Sequence, residues 1–287
     1  MTAQGTSRLG LAAALLLIAL KAASLATEAA PALVPTLGTL AIAALLLRLS
    51  VRSRSPRWLR ALVIPLGLAM AAFIAMTLWV NFSLARAAES FQPLEGPKVW
   101  STRGLTLNGP EIVKDGEQNS VEAIARAFDH GAAGVEVDVF YDADLADFVV
   151  SHDRPYNLRN GSLLMLGDLL ETIGDRGSIW LDWKKLRHLD ADQMTSALEA
   201  LDRYTAKGGL KSRFFVEGED PFNLSRCRHA GFPTIYDTHP LPDANPFSRV
   251  VIDFYKAVYH FGGFTVLSME TGTADRWVFG GNTRKAV

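Results

Sequence analysis

Hydrophobic and polar positions divide the chain into two regimes. In the first, apolar residues run together over 9–27, 31–47 and 61–80, broken inside the first run only by Lys21. The second run, about 17 residues without a charge, is at the short end of what crosses a bilayer, and the third is of full spanning length. Pro65 and Gly67 within the third run are compatible with a lipid-embedded helix. Trp79 near its end suits a membrane–water interface. The pattern predicts a membrane region over 1–86 with two or three transmembrane helices. The first run also reads as a signal peptide, with Arg8 before an apolar centre and small residues near 26–32.

From residue 98 the period changes. Val135, Val137 and Val139 alternate with Glu136, Asp138 and Phe140, the two-residue repeat of a strand. Strands are predicted at 98–101, 135–140, 147–151, 178–184, 213–217, 234–237 and 264–269. Helices are predicted between them at 121–130, 163–173, 191–206, 221–230 and 247–260. Strands alternating with helices of this length imply parallel βαβ units. The Pro- and Gly-containing segment 87–97 reads as a linker, and 98–287 as one α/β domain.

Charge sharpens this division. Residues 1–86 hold eight Lys/Arg against Glu28 alone, a net +7, whereas the remainder nets −8. Arg48, Arg52, Arg54, Arg57 and Arg60 lie between the second and third runs with no acid among them, marking that loop as cytoplasmic. The third run then carries the α/β domain to the periplasm or cell exterior. No basic run with interleaved aromatics occurs in the acidic part, which argues against nucleic acid as a partner. The single Cys227 excludes an internal disulfide and a cysteine-based zinc site. Oligomeric state is not legible.

Six of the seven predicted strands end in polar residues, and they fit a (β/α)8 TIM-type barrel better than an open doubly wound sheet, since no Gly-rich phosphate loop follows any strand. In such a barrel the carboxyl ends of the strands form the active face. Those ends carry Thr102 and Arg103, Glu136 and Asp138, His152, Asp182 and Lys184, Glu217, and Asp237 with His239. Strand alternation places Glu136 and Asp138 on one face about 7 Å apart. Two such acids repel unless a cation lies between them, and oxygen-ligated divalent ions are the usual resolution. Asp182 and Lys184 also share a face and could instead form an internal ion pair. Glu217 reads as a rim residue. Eight strands need two more than the pattern supplies, with 277–279 the one remaining short candidate. Either the barrel is open or the chain is a truncated version of a longer one.

In order, Thr102-Arg103-Gly104, Gln118-Asn119-Ser120, Glu136-x-Asp138, His152-Asp153 and Asp182-x-Lys184 resemble the motifs of the glycerophosphodiester phosphodiesterase family and its sphingomyelinase-D-like relatives, over roughly 98–270. The resemblance implies that Glu136, Asp138 and Asp182 bind Mg²⁺ or Ca²⁺. It further implies that Arg103 and Lys184 hold a phosphodiester and that His152 is one half of a histidine acid/base pair. The implied substrates are glycerophosphodiesters or phospholipid head groups, with membrane lipid as a partner. The sequence departs from the family at Thr102, where a second catalytic histidine is expected, and at Gln118, where a carboxylate is expected. The subdomain inserted after His-Asp shrinks to about nine residues. A relative that keeps the barrel but has lost catalysis is the competing reading, and His239 is a candidate substitute for the missing histidine.

Overall fold

The structure, a computed structural model, describes residues 3–27, 33–51, 56–90, 99–106, 117–159, 161–206, 210–241 and 247–269. Of the expected linker at 87–97, residues 87–90 are helical and 91–97 lie outside these, as do most of the loop after Gly104 and the candidate strand at 277–279. The described residues divide into two compact units. One holds the three N-terminal helices together with residues 239–260, and the other holds the sheet.

All three apolar runs are helical: α1 (Ala3–Thr27), α2 (Leu33–Val51) and α3 (Arg57–Ser90). They pack through small and branched side chains, among them Ala13, Ala14, Leu17, Ala43, Leu46 and Ile74. Gly67 permits a close approach, since a Cβ there would lie 2.5 Å from Leu46 Cδ1. Leucines 15, 37, 62 and 66 point outward and are exposed. Among the described residues one helical segment, Ala61–Ala87 at 27 residues, is long and apolar enough to cross a membrane. The apolar cores of the other two, Leu9–Ala22 and Thr36–Leu49, are shorter than the spans the sequence pattern predicts.

The second unit is built on β1 (Trp100–Thr102), β2 (Gly134–Asp142), β3 (Asp147–Val150), β4 (Ser178–Trp183), β5 (Phe214–Gly218), β6 (Thr234–Thr238) and β7 (Val266–Met269). Between them run α4 (Val121–Asp129), α5 (Leu166–Ile173), α6 (Ala191–Thr205) and α7 (Pro221–His229), while α8 (Ser248–Gly262) lies mostly in the first unit. The strand order is β1-β2-β4-β5-β6-β7, with β1, β2, β4, β5 and β6 paired in parallel. The hairpin strand β3 is antiparallel to β2. This is a parallel α/β half-barrel. Among the described residues the barrel is open, one of the two alternatives the strand count allows, because the path ends at β7 without returning to β1.

Alternation makes the two faces of the sheet. In β4, Ile179, Leu181 and Trp183 are buried toward the helices, while Trp180 and Asp182 occupy the opposite, concave face. Helix starts follow from local chemistry. Ser120 caps α4, its Oγ accepting from Ala123 N at 3.1 Å. Asp190 and Gln193 form a reciprocal capping box on α6, and Asp220 caps α7 ahead of Pro221. One layer toward the amino ends of the strands, Trp100 meets Trp180 edge-on at 6.1 Å and Phe215 at 5.6 Å. Gly134 makes this aromatic floor possible, since a Cβ there would fall 2.5 Å from the Trp100 ring.

Candidate functional site

Register aligns Asp138, Asp182 and Glu217 across the concave face, with Glu136 two residues earlier on β2, opposite Thr102 and Trp180. Thr102 pairs with Glu136, Asp138 with Asp182, and Asp182 with Glu217. Single carboxylate oxygens of Glu136, Asp138 and Asp182 all lie within 4.8 Å of one another. The three residues expected to share a cation are therefore gathered. Donors at about 2.1–2.5 Å from one hard cation lie at most about 4–5 Å apart, so the spacing and the all-oxygen donor set fit Mg²⁺ or Ca²⁺.

Asp138 is the best-held member. It is fully buried. One carboxylate oxygen, Oδ2, accepts from Asn119 Nδ2 at 2.6 Å and lies 2.8 Å from Arg103 Nε. The other, Oδ1, lies 2.8 Å from Lys184 Nζ. Asn119 also accepts the Asp138 backbone N–H at 3.0 Å, so its amide grips both the strand and the side chain. Burial alone would raise the Asp138 pKa. The hydrogen bonds from Lys184 and Asn119 and the charge of Arg103 outweigh it and hold the carboxyl below its usual range.

Lys184 bridges two acids, pairing with Asp182 as well as Asp138. The expected side-by-side Asp182 and Lys184 are therefore joined as an ion pair inside the same cluster that could hold a cation. Burial works against the ammonium, yet its bonds to Asp138 and Asp182 raise its pKa. Asp182 is shifted upward, chiefly by burial. Glu136 is less well compensated: burial, then the charges of Asp138 and Asp182, push it up to about 7.

Arg103 reaches Asp138 through a sharp turn. Its φ is +58°, and its backbone N–H donates to Glu136 O at 3.1 Å. Gly104 follows at φ +88°, where any Cβ would sit 2.6 Å from the Ala123 backbone, so the glycine is a steric requirement of the turn. Gln118 accepts from Arg103 Nη1 at 3.4 Å, and its own backbone carbonyl accepts from Arg159.

His152 follows β3, whose end is tied to the site by the Ser151 N–H donating to Asp138 O at 3.0 Å. Its ring is substantially exposed, with Nδ1 3.1 Å from Asp153 Oδ1. Among the described contacts none joins His152 to the three acids.

Two residues escaped the sequence reading. Asn119 passes for a helix cap by composition, but Ser120 caps α4 and Asn119 turns inward at φ +56° to hold Asp138. Glu217 is not a rim residue: it is buried, its Oε2 accepts from Trp180 Nε1 at 2.8 Å, and burial with the charges of Asp182 and Asp237 pushes it up to about 9. Its alternation with buried Val216 could have been read either way, because both faces of this strand are occluded. Asp237 on β6 is likewise shifted upward by burial.

No protein-family model matches the chain, and no curated protein matches it. Among solved structures it is similar to a glycerophosphodiester phosphodiesterase from Parabacteroides distasonis ATCC 8503, at 19% identity over 65% of this chain and 79% of that one, TM-score 0.48. A second, from Thermotoga maritima, shares 19% identity over 62% and 75% of the two chains, TM-score 0.42. An Oleispira antarctica phosphodiesterase in complex with the product sn-glycerol-3-phosphate shares 14% over 67% and 90%, TM-score 0.41. The first two carry the family name that the motif order resembles. Identities and TM-scores this low carry no argument about chemistry, which rests on the residues of this chain.

Proposed function

We propose that the chain is a membrane-tethered, divalent-cation-dependent phosphodiester hydrolase acting on glycerophosphodiesters or phospholipid head groups, with its α/β domain outside the cytoplasm. The observation that carries this reading is the convergence of Glu136, Asp138 and Asp182 within 4.8 Å, with Arg103 and Lys184 in the same cluster. Three carboxylates against two fixed cations leave one negative charge. A bound Mg²⁺ or Ca²⁺ would turn that balance to +1, the complement of a phosphodiester monoanion.

Glu136, Asp138 and Asp182 would hold the ion, which when bound supplies Lewis-acid neutralisation of the phosphoryl oxygens. Arg103 and Lys184 would hold non-bridging oxygens as charge builds on them. His152 is the one imidazole at a strand end of this face close in sequence to the acids, and it would move one proton. The apolar segment Ala61–Ala87 supports a tether, and the arginines of 48–60 support the outward orientation.

A second reading, a phosphodiester-binding module without turnover, is favoured by a specific feature. Thr102 stands where a proton-exchanging partner to His152 is needed. Loss of one of two such groups costs on the order of 10²–10⁴ in rate. The test is hydrolysis of a chromogenic phosphodiester by the full chain with Mg²⁺ or Ca²⁺, alongside Glu136→Ala and His152→Ala. The hydrolase reading expects cation-dependent turnover that falls in both variants. Equal activity in wild type and both variants removes it, and ligand binding without turnover selects the module.

A further inference from the structure

Helix α8 is built inside out for a helix facing water. Phe247, just ahead of its first residue, is 57% exposed, Phe254 is 54% exposed and Phe261 is 64% exposed. They recur every seven residues, and Val251 and Val258 lie between them at the offsets that keep one helical face. The opposite side carries the charges. Asp253 and Lys256 are buried, Arg249 is 13% exposed in its side chain, and Arg249 Nε lies 3.5 Å from Asp253 Oδ2. A soluble surface helix places these two sets the other way round.

The polar side has a defined neighbour. Lys256 Nζ reaches Asn81 Oδ1 of α3 at 3.5 Å. Asn81 lies within the apolar segment Ala61–Ala87, toward its carboxyl end. On the same stretch of α3, Trp79 is 61% and Phe82 57% exposed. Aromatic side chains collect at the membrane–water boundary, where an apolar ring and a polar surrounding are both satisfied. A helix tethered at that depth with phenylalanines outward has the composition of an interfacial element.

We propose that α8 lies along the outer lipid interface with Phe247, Phe254 and Phe261 embedded in it, its occupant being the phospholipid surface itself. This rests on α3 spanning the bilayer. Burying three aromatic side chains at a lipid boundary removes an exposed apolar stripe that water would otherwise face. It also makes α8 a second attachment of this chain to lipid, separate from the spanning segment.

The test uses the full chain in phosphatidylcholine nanodiscs, with a nitroxide placed in turn through Phe254→Cys, Leu66→Cys and Asp144→Cys. Cys227 is buried, and mock-labelled wild type sets its background. Relaxation is read against oxygen, which partitions into lipid, and a water-soluble nickel chelate. The expected result is that position 254 shares the oxygen-favouring ratio of position 66 in the span, with position 144 favouring nickel. Nickel access at 254 with oxygen preference at 66 overturns the interfacial helix alone. Nickel access at both 66 and 254 overturns the span and the helix with it. Exclusion of both reagents at 254 means that protein covers this face, and also overturns the proposal. If Phe254→Cys does not fold, Phe247→Cys reports the same stripe and is judged by the same outcomes.

Discussion

Of the three clustered acids, Glu136 is the one whose charge is least compensated, and Glu136→Gln measures that directly. Its carboxyl sits at about 7 in the folded chain against an ordinary value of 4.5. Below pH 4.5 the group is protonated folded or unfolded and contributes no pH dependence. Between 4.5 and 7 the folded state keeps a proton that the unfolded state has released, so stability falls as pH rises. Above 7 the loss is complete, and a shift of this size corresponds to about 3 kcal/mol.

The variant removes that penalty while keeping the shape. At pH 8 without divalent cation it is expected to melt higher than wild type. For a domain of this size, about 3 kcal/mol is ~6–12 °C. At pH 5 the difference shrinks to under about 1 kcal/mol, since wild-type Glu136 is then protonated in the folded state. Cation should act in the opposite direction: an ion at a hundred times its dissociation constant stabilises wild type by about 2.7 kcal/mol. The variant, short of one anionic ligand, should gain far less. Tryptophan-detected melting in detergent follows the right part of the molecule, because Trp100, Trp180 and Trp183 lie in the sheet. Equal melting of the two proteins at pH 8 without cation, or a less stable variant, refutes the claim that Glu136 is a crowded, under-compensated carboxylate.

Asn119→Ala removes two hydrogen bonds to a fully buried aspartate; a bond of this charged kind is worth roughly 1.5–3 kcal/mol, and a denaturant midpoint unchanged from wild type would contradict the role given to Asn119. Lys184→Met leaves buried Asp138 with Arg103 as its one cationic side-chain partner. It should destabilise by roughly 3 kcal/mol, toward the low end for broken buried pairs because the ammonium is partly exposed. It should also weaken binding of a non-hydrolysable phosphodiester, measured by calorimetry; unchanged affinity would free Lys184 of any ligand role. Gly134→Ala forces a methyl against the Trp100 ring. It should cost about 1–3 kcal/mol by overpacking, while leaving the cation-induced shift in melting intact; loss of that shift would mean the aromatic floor and the acidic layer are coupled.

The strand ends were legible because alternation and chemistry coincide there. Glu136, Asp138, Asp182 and Lys184 stand at even spacings among buried apolar residues, and parallel register then sets Asp138 beside Asp182 without further information. What the sequence could not supply were contacts made through turns. Asn119 and Arg103 reach Asp138 because both adopt positive φ, a conformation that no periodicity announces in non-glycine residues. Helix α8 misleads for a different reason. Its hydrophobic period is ordinary, and nothing in the pattern says that the apolar stripe points outward while Asp253 and Lys256 are buried. Polar strand ends argue for a parallel curled sheet but do not count its staves, which is why the sequence leaves an open barrel and a longer one as alternatives.

Thr102 is where the departures acquire a physical meaning. Its strand pairs with β2 at Glu136, and its side chain hydrogen-bonds that carboxylate and holds its pKa down, against the larger effect of burial. A hydroxyl there cannot exchange a proton near neutral pH, yet it steadies the acid whose charge is otherwise opposed by Asp138 and Asp182. Asp138 is held by Arg103, Asn119 and Lys184, and Lys184 also pairs with Asp182, so the described ion pairs of the cluster fall on Asp138 and Asp182 and Glu136 is left to its hydroxyl partner. In the proposed hydrolase the site would hold an ion and an anion together, with proton transfer left to His152. If turnover is measured, its rate should be limited by that single imidazole, and Thr102→His should raise the rate without tightening cation binding. A rise in cation affinity with no gain in rate would place the importance of position 102 in its hold on Glu136.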